Sequence, residues 1–214
     1  MLYTATVEST TLQLLKNLCG EGPLKAFNLV GGTALALQIG HRKSVDLDLF
    51  STEQFDAVQL TAWLQAKYGF QTLFQGSNSL MGVIHGVKVD FIAYPYRLID
   101  QLVVEAGVRL CGLRDIAAMK LSAITQNGTR LKDFVDVAFL SSRMPFADML
   151  EAYETKYLGS SRLSPMKALS YFNDIDFAQT VVMTSGEFNW PTVADRLVGM
   201  TMEPDRVFEC APAM

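Results

Sequence analysis

Val45 to Phe50 (VDLDLF) alternates apolar and acidic side chains with a period of two. An extended strand puts every second side chain on one face, whereas a helix would scatter them. The run therefore predicts a strand with Val45, Leu47 and Leu49 turned to a core and Asp46 and Asp48 side by side on the other face. Two adjacent carboxylates repel each other unless a cation lies between them or a proton is shared. Hard divalent ions such as Mg²⁺ take oxygen ligands and bridge to substrate phosphates. Taken alone, however, the pair fits a solvated strand face better than a metal site.

The residues before this strand change that balance. Phe27–Val30 is a short, mostly apolar run that ends at Gly31-Gly32, as a buried strand entering a turn does. Thr33–Ile39 (TALALQI) then predicts a helix with Thr33 as its N-cap. A glycine pair at a helix N-terminus lets backbone N–H groups approach a phosphate, the Thr33 hydroxyl can donate to it, and the helix dipole favours the anion. The plain alternative is a turn that needs glycine for a positive φ.

Further on, Thr11–Cys19 and Gln54–Tyr68 predict helices, and Phe70–Phe74, Leu80–His85, Val87–Tyr94 and part of Gln101–Leu110 predict strands. In Val87–Ile92, Val87, Val89 and Phe91 share one face, and Lys88 and Asp90 the other. If this strand lies near VDLDLF, Asp90 completes a carboxylate triad for one or two metals. From Leu113 strand signals fade, and helices are expected at Leu113–Gln126, Arg130–Arg143, Phe146–Tyr157, Ser164–Asn173 and Pro191–Val198. Ser164-Pro165 reads as an N-cap with proline at the first helical position, and Gly199 as a stop. The order predicts an α+β fold: an α/β core over residues 1–112, with a helical region, 113–214, packed on it.

Two of these helices carry notable charges. Ile116 and Ile124 flank Lys120 at i−4 and i+4, which places the lysine inside an apolar arc. A buried ammonium needs a partner or a ligand. In the next helix Leu131, Phe134, Val135, Ala138 and Phe139 form the core stripe, leaving Asp133 and Asp136 off it, either solvated or paired with Lys120.

Composition excludes several classes. Half of the 214 residues are apolar and 19% are charged, which no disordered chain tolerates. A chain of this size buries roughly 70% of its unfolded surface and needs no disulfide or structural metal. Cys19, Cys111 and Cys210 are far apart and fit no zinc spacing, so they read as cytosolic thiols. The longest run without Asp, Glu, Lys or Arg, Tyr68–Val87, is too polar for lipid, and MLYTATVEST lacks the pattern of a signal peptide. A cytoplasmic protein is expected. Net charge is −4, with −1 over residues 1–112, +2 over 113–143 and −5 over 144–214. Strong nonspecific nucleic-acid binding is therefore not expected, while 113–143 leaves room for a local phosphate site.

Together, LVGGTALALQIGHRKSVDLDLF (Leu29–Phe50), VKVDFIAYP (Val87–Pro95), DIAAMKLSAI (Asp115–Ile124) and RLKDFVDVAFL (Arg130–Leu140) resemble the nucleotidyltransferase family that includes the AbiEii-type toxins of abortive-infection and toxin–antitoxin systems. The four blocks cover about a quarter of the chain, and ALSYFNDID and NWPTVADRL resemble the family's tail less specifically. The resemblance implies a DNA-polymerase-β-like nucleotidyltransferase core. It implies that Gly31, Gly32 and Thr33 cradle the triphosphate, that Asp46 and Asp48 hold Mg²⁺ or Mn²⁺, and that Arg42 and Ser44 fill the family's basic and hydroxyl positions. Lys120 matches the phosphate-contacting lysine, Asp133 the acid after it, and Asp90 the third carboxylate of the wider fold. Lys132 fits the base before that acid, but Gly128-Thr129-Arg130 leaves open which base touches the nucleotide.

What the resemblance implies is a Mg²⁺-dependent transfer of NMP from an NTP to a tRNA 3′ end or a protein hydroxyl, by a toxin-like protein with a possible cognate antitoxin. The acidic balance weakens the tRNA version. A small-molecule nucleotidyltransferase of the antibiotic-modifying kind and a non-catalytic nucleotide-binding module are the alternatives. Glycosyl transfer also uses DxD, but Gly31-Gly32-Thr33 before it and Lys120 after it favour nucleotidyl transfer.

Overall fold

The computed structural model describes residues 1–212. The chain divides into two units, one of residues 1–40, 44–97 and 102–111, the other of 41–43, 98–101 and 112–214.

The first unit is built on a seven-stranded mixed sheet. Its strands are β1 (Asn28–Leu29), β2 (Leu47–Ser51), β3 (Gln71–Gly76), β4 (Ser79–Ile84), β5 (Val87–Ala93), β6 (Val103–Glu105) and β7 (Val108–Leu110), in the order β3-β4-β5-β2-β1-β7-β6. β2 runs parallel to β5 with Asp48 opposite Asp90, and antiparallel to β1. The period-two pattern works as expected where it is buried: Leu47 and Leu49 of β2, and Val89 and Phe91 of β5, all lie in the core. Three helices belong to this unit: α1 (Ser9–Gly20), α2 (Gly31–Ile39) and α3 (Ala57–Tyr68). The Asp56 carboxylate caps α3 by accepting from the backbone N–H groups of Val58 and Gln59.

The second unit is helical, with α4 (Leu113–Gln126), α5 (Leu131–Leu140), α6 (Phe146–Lys156), α7 (Leu163–Ala168) and α8 (Trp190–Met202). Its two short pieces from the first half of the chain are tied in by hydrogen bonds. Buried Asp115 accepts from the N–H groups of Ile99 and Asp100 and pairs with Lys156 Nζ at 2.6 Å, while Asp100 accepts from Arg114 N–H at the start of α4. Residues 41–43 lie along the segment 182–184, with Lys43 N–H donating to Val182 O and Thr184 N–H to His41 O. Among the described residues no helix is long and apolar enough to cross a membrane.

Several boundaries differ from the sequence expectation. β2 starts at Leu47, and Val45 is 55% exposed rather than in the core. α2 starts at Gly31, with Val30 as a capping residue that lends no side chain, so Thr33 is inside the helix and not its cap. Residues 101–110 hold a hairpin of two strands, not one. α7 is cut to Leu163–Ala168 with Pro165 in its third position, and α8 runs through Gly199 to Met202, because a single glycine costs a helix only about 1 kcal/mol.

Candidate active site

In the first unit the glycine turn and the acidic strand meet. Gly31 has φ +69°, a left-handed conformation that glycine adopts freely, and a Cβ built there would run into the Asp48 carboxylate. The first turn of α2 is thus held against β2 at its acidic residue, and Val30 N–H donates to Asp48 O at 2.9 Å to fix the approach. Thr33 is buried; its hydroxyl donates to Asp46 O and lies 2.8 Å from Ser44 Oγ. Ser44 N–H in turn donates to Thr6 O. These bonds shape the backbone leading into Asp46, whose own side chain is exposed, while Asp48 is half-buried.

Asp90 stands opposite Asp48 on β5 but has a different environment. It is 7% exposed, and its Oδ2 lies 2.9 Å from the ammonium of Lys88, two residues earlier on the same strand. Its Oδ1 is sealed from solvent and takes no hydrogen bond. The hydrogen bond to Asp90 raises the Lys88 pKa, burial opposes this, and the charges of Asp90, Asp46 and Asp48 add to the rise. Among the described residues no three His, Cys, Asp or Glu side chains group in a way that would hold a metal. Asp90, the expected third carboxylate, is paired with Lys88. Asp46 and Asp48, two hard oxygen donors, still fit an ion that completes its shell with phosphate oxygens and water.

In the second unit Lys120 is 7% exposed and bonded to two carboxylates, Asp133 at 2.6 Å and Asp136 at 2.7 Å. Asp133 and Asp136 are buried, not solvated, so of the two expectations for them the ion pair is the one found. Asp136 is fully buried and is the hub. Arg42 grips it with Nε at 2.7 Å and Nη2 at 2.9 Å, and His41 Nε2 lies 2.8 Å from it. Burial pushes the Asp136 carboxyl up, but Arg42, Lys120 and the hydrogen bonds from His41 and Arg42 hold it well below the ordinary range. Burial likewise pulls Lys120 down, and the charges of Asp136 and Asp133 outweigh it, so its pKa rises. For His41 the balance reverses: burial dominates the pull of Asp136 and lowers the pKa, so the ring is neutral near pH 7.

Other expected contact residues are placed as follows. Arg42 is buried in its ion pair, with Nη1 donating to Lys43 O as well. Arg130 is exposed, 3.7 Å from Asp133 Oδ2, and Lys132 is half-buried. A cavity of about 300 Å³ in the first unit is lined by Pro23, Phe27, Phe55, Asp56, Gln59, Leu60 and Trp63, none of them an expected site residue.

Residues 13–85 and 81–205 match the sequence profile described as "Nucleotidyl transferase AbiEii toxin, Type IV TA system", nearly the whole chain. The chain belongs to this family. It is a nucleotidyltransferase, with the mixed sheet and helices of the polymerase-β-like fold that the four sequence blocks imply. An uncharacterized protein of Aquifex aeolicus (strain VF5), aq_aa25, is 30% identical over 168 residues, 76% of this chain and 81% of that protein. Two Helicobacter pylori structures share the fold at 16% identity. One, described as a "putative nucleotidyltransferase", has a TM-score of 0.56 and covers 91% of this chain and 94% of its own. The other, JHP933, has a TM-score of 0.52 and covers 92% of each chain.

Sequence reasoning singles out neither Lys88 nor His41 as a site residue. Lys88 was readable, since the period of two that puts Asp90 on the polar face puts Lys88 there too. Asp136 is expected either solvated or paired with Lys120, and apolar periodicity, in which burial of paired charges leaves no trace, does not choose between the two. His41 carried no spacing signal at all.

Proposed function

We propose that this AbiEii-family chain moves a nucleoside monophosphate from an NTP to a hydroxyl of a macromolecule, a tRNA 3′ end or a protein side chain. In this reading it is the toxin component of a type IV toxin–antitoxin system, with a cognate antitoxin. One observation carries the reading furthest. Gly31 presses the N-terminal turn of α2 against the Asp48 carboxylate, so N–H donors suited to phosphate and acids suited to a cation adjoin within one unit.

Gly31, Gly32 and the Thr33 turn would bind the triphosphate through backbone N–H groups and the helix dipole. Asp46 and Asp48 would hold Mg²⁺ or Mn²⁺, which, when bound, polarises the α-phosphate and lowers the pKa of the attacking hydroxyl. The acceptor oxygen forms a bond to the α-phosphorus, the bond to the β-phosphate oxygen breaks, and pyrophosphate leaves with that electron pair. The hydroxyl proton passes to Asp46 or to solvent, Asp46 being the exposed acid of the pair. Within the second unit Lys120, held by Asp133 and Asp136, is the proposed phosphate-donating group, and exposed Arg130 and half-buried Lys132 are further positive charges.

The test offers each of the four α-³²P NTPs with Mg²⁺, total tRNA and cell lysate, beside an Asp46→Ala/Asp48→Ala double variant whose circular dichroism matches the parent. Label on RNA or protein that the variant fails to transfer supports the reading and names base and acceptor class together. Folded protein that binds NTP yet labels neither overturns it in favour of a small-molecule acceptor or a non-catalytic role.

A further inference from the structure

The third carboxylate of the first unit is already engaged. Lys88 and Asp90 alternate with the core residues Val89 and Phe91, so both lie on the face of the sheet that carries Asp48. Asp90 has two oxygens. Oδ1 is shut off from solvent and could not meet a hydrated ion without rearrangement, and Oδ2 is bonded to the Lys88 ammonium at 2.9 Å. Three ionised carboxylates would set a charge of −3 here, and Lys88 reduces it to −2, which one divalent ion neutralises. The lysine is half exposed on an open strand face, so its substitution does not empty a core.

We propose that the Lys88 ammonium is a built-in cation that takes the second of two cation places among Asp46, Asp48 and Asp90, so that this site binds a single divalent ion, on Asp46 and Asp48. Asp90 is then a positioning residue for Lys88 and not a metal ligand. The inference rests on the assignment of Asp46 and Asp48 as the metal-binding pair.

Counting Mn²⁺ on the full chain tests it without any turnover. Purified protein is titrated with Mn²⁺ alone, and the free ion is read by electron paramagnetic resonance. One Mn²⁺ per chain is expected for the parent and for Lys88→Arg, which keeps the charge. Two are expected for Lys88→Met, and one again for Lys88→Met/Asp90→Asn, where the second place loses its acid. Two ions on the parent, or one on a folded Lys88→Met, overturns the proposal. Asp46→Asn/Asp48→Asn separates the two levels of inference. If it abolishes binding while Lys88→Met stays at one ion, the metal pair stands and the role of Lys88 falls. If it leaves binding unchanged, or if the parent binds no Mn²⁺, the metal assignment itself falls and takes the proposal with it.

Discussion

Both units contain a pair of aspartates close in sequence, and the two pairs have opposite surroundings. Asp46 and Asp48 stand at the start of the β2 segment, exposed and half-buried, with Val30 N–H bonded to the Asp48 carbonyl and the charge of Lys88 coupled to both carboxylates. Asp133 and Asp136 sit on a helix, buried, each bonded to Lys120, with Arg42 and His41 completing the shell of Asp136. A carboxylate left accessible can accept a metal or a substrate; one saturated by buried cations holds structure. Under the proposed function the first pair would act on a ligand and the second would hold Lys120 in place.

If that contrast is right, stability and activity should respond in opposite ways. The largest effect belongs to Asp136→Ala, which leaves Arg42 and Lys120 buried without their shared counter-charge. Urea unfolding should show a loss of about 3–5 kcal/mol. A loss below about 1 kcal/mol would mean the cluster is solvated in solution. Next come Asp46→Asn and Asp48→Asn. Each should change unfolding free energy by no more than about 0.5 kcal/mol, as surface substitutions do. Each should also lower nucleotide transfer at least about a hundredfold, or ~2.7 kcal/mol of barrier. Comparable losses of stability in the two pairs would break the comparison.

Gly31→Ala sharpens it further. The left-handed backbone and the encroachment on Asp48 should cost about 1–3 kcal/mol. Gly20→Ala, where a Cβ meets nothing within 4 Å, should be neutral or stabilising in the same measurement. The smallest effect is a pH dependence confined to the buried cluster. His41 has a folded pKa below its ordinary 6.5, so below that pH the unfolded chain binds the proton first and stability falls with acidity. Asp136, also lowered, adds a second loss as pH drops below about 3.8 toward its folded pKa. Melting temperature should therefore decline from pH 7.5 to 5.5, and His41→Gln should flatten that slope.

The alternation in VDLDLF and the apolar spacing of Leu113–Gln126 were enough to place β2 and α4, because burial of one face writes itself into the order of side chains. The four family blocks gave the nucleotidyltransferase fold. Ends of elements were less legible: helix α2 starts two residues before Thr33 because the left-handed Gly31 lets the chain turn at once, and no hydroxyl cap is needed. The site was half legible. Residue types at Asp46, Asp48 and Lys120 were conspicuous, but pairings such as Lys88 with Asp90 or Arg42 with Asp136 depend on which elements adjoin. The last of these joins residues 94 positions apart, and no local pattern encodes it.

The assignment of residues 41–43 and 98–101 to the helical unit has a bearing on how such a gene can change. Because Arg42 and His41 are encoded upstream of the DxD strand yet complete the shell of Asp136, no single breakpoint separates the two units intact. A recombinant that joins residues 1–111 of one family member to the rest of another inherits the cation from one parent and its buried counter-charge from the other. Exchange at this junction should thus be tolerated only between parents that share both halves of the pair, which favours inheritance of the gene as a whole over assembly from interchangeable parts.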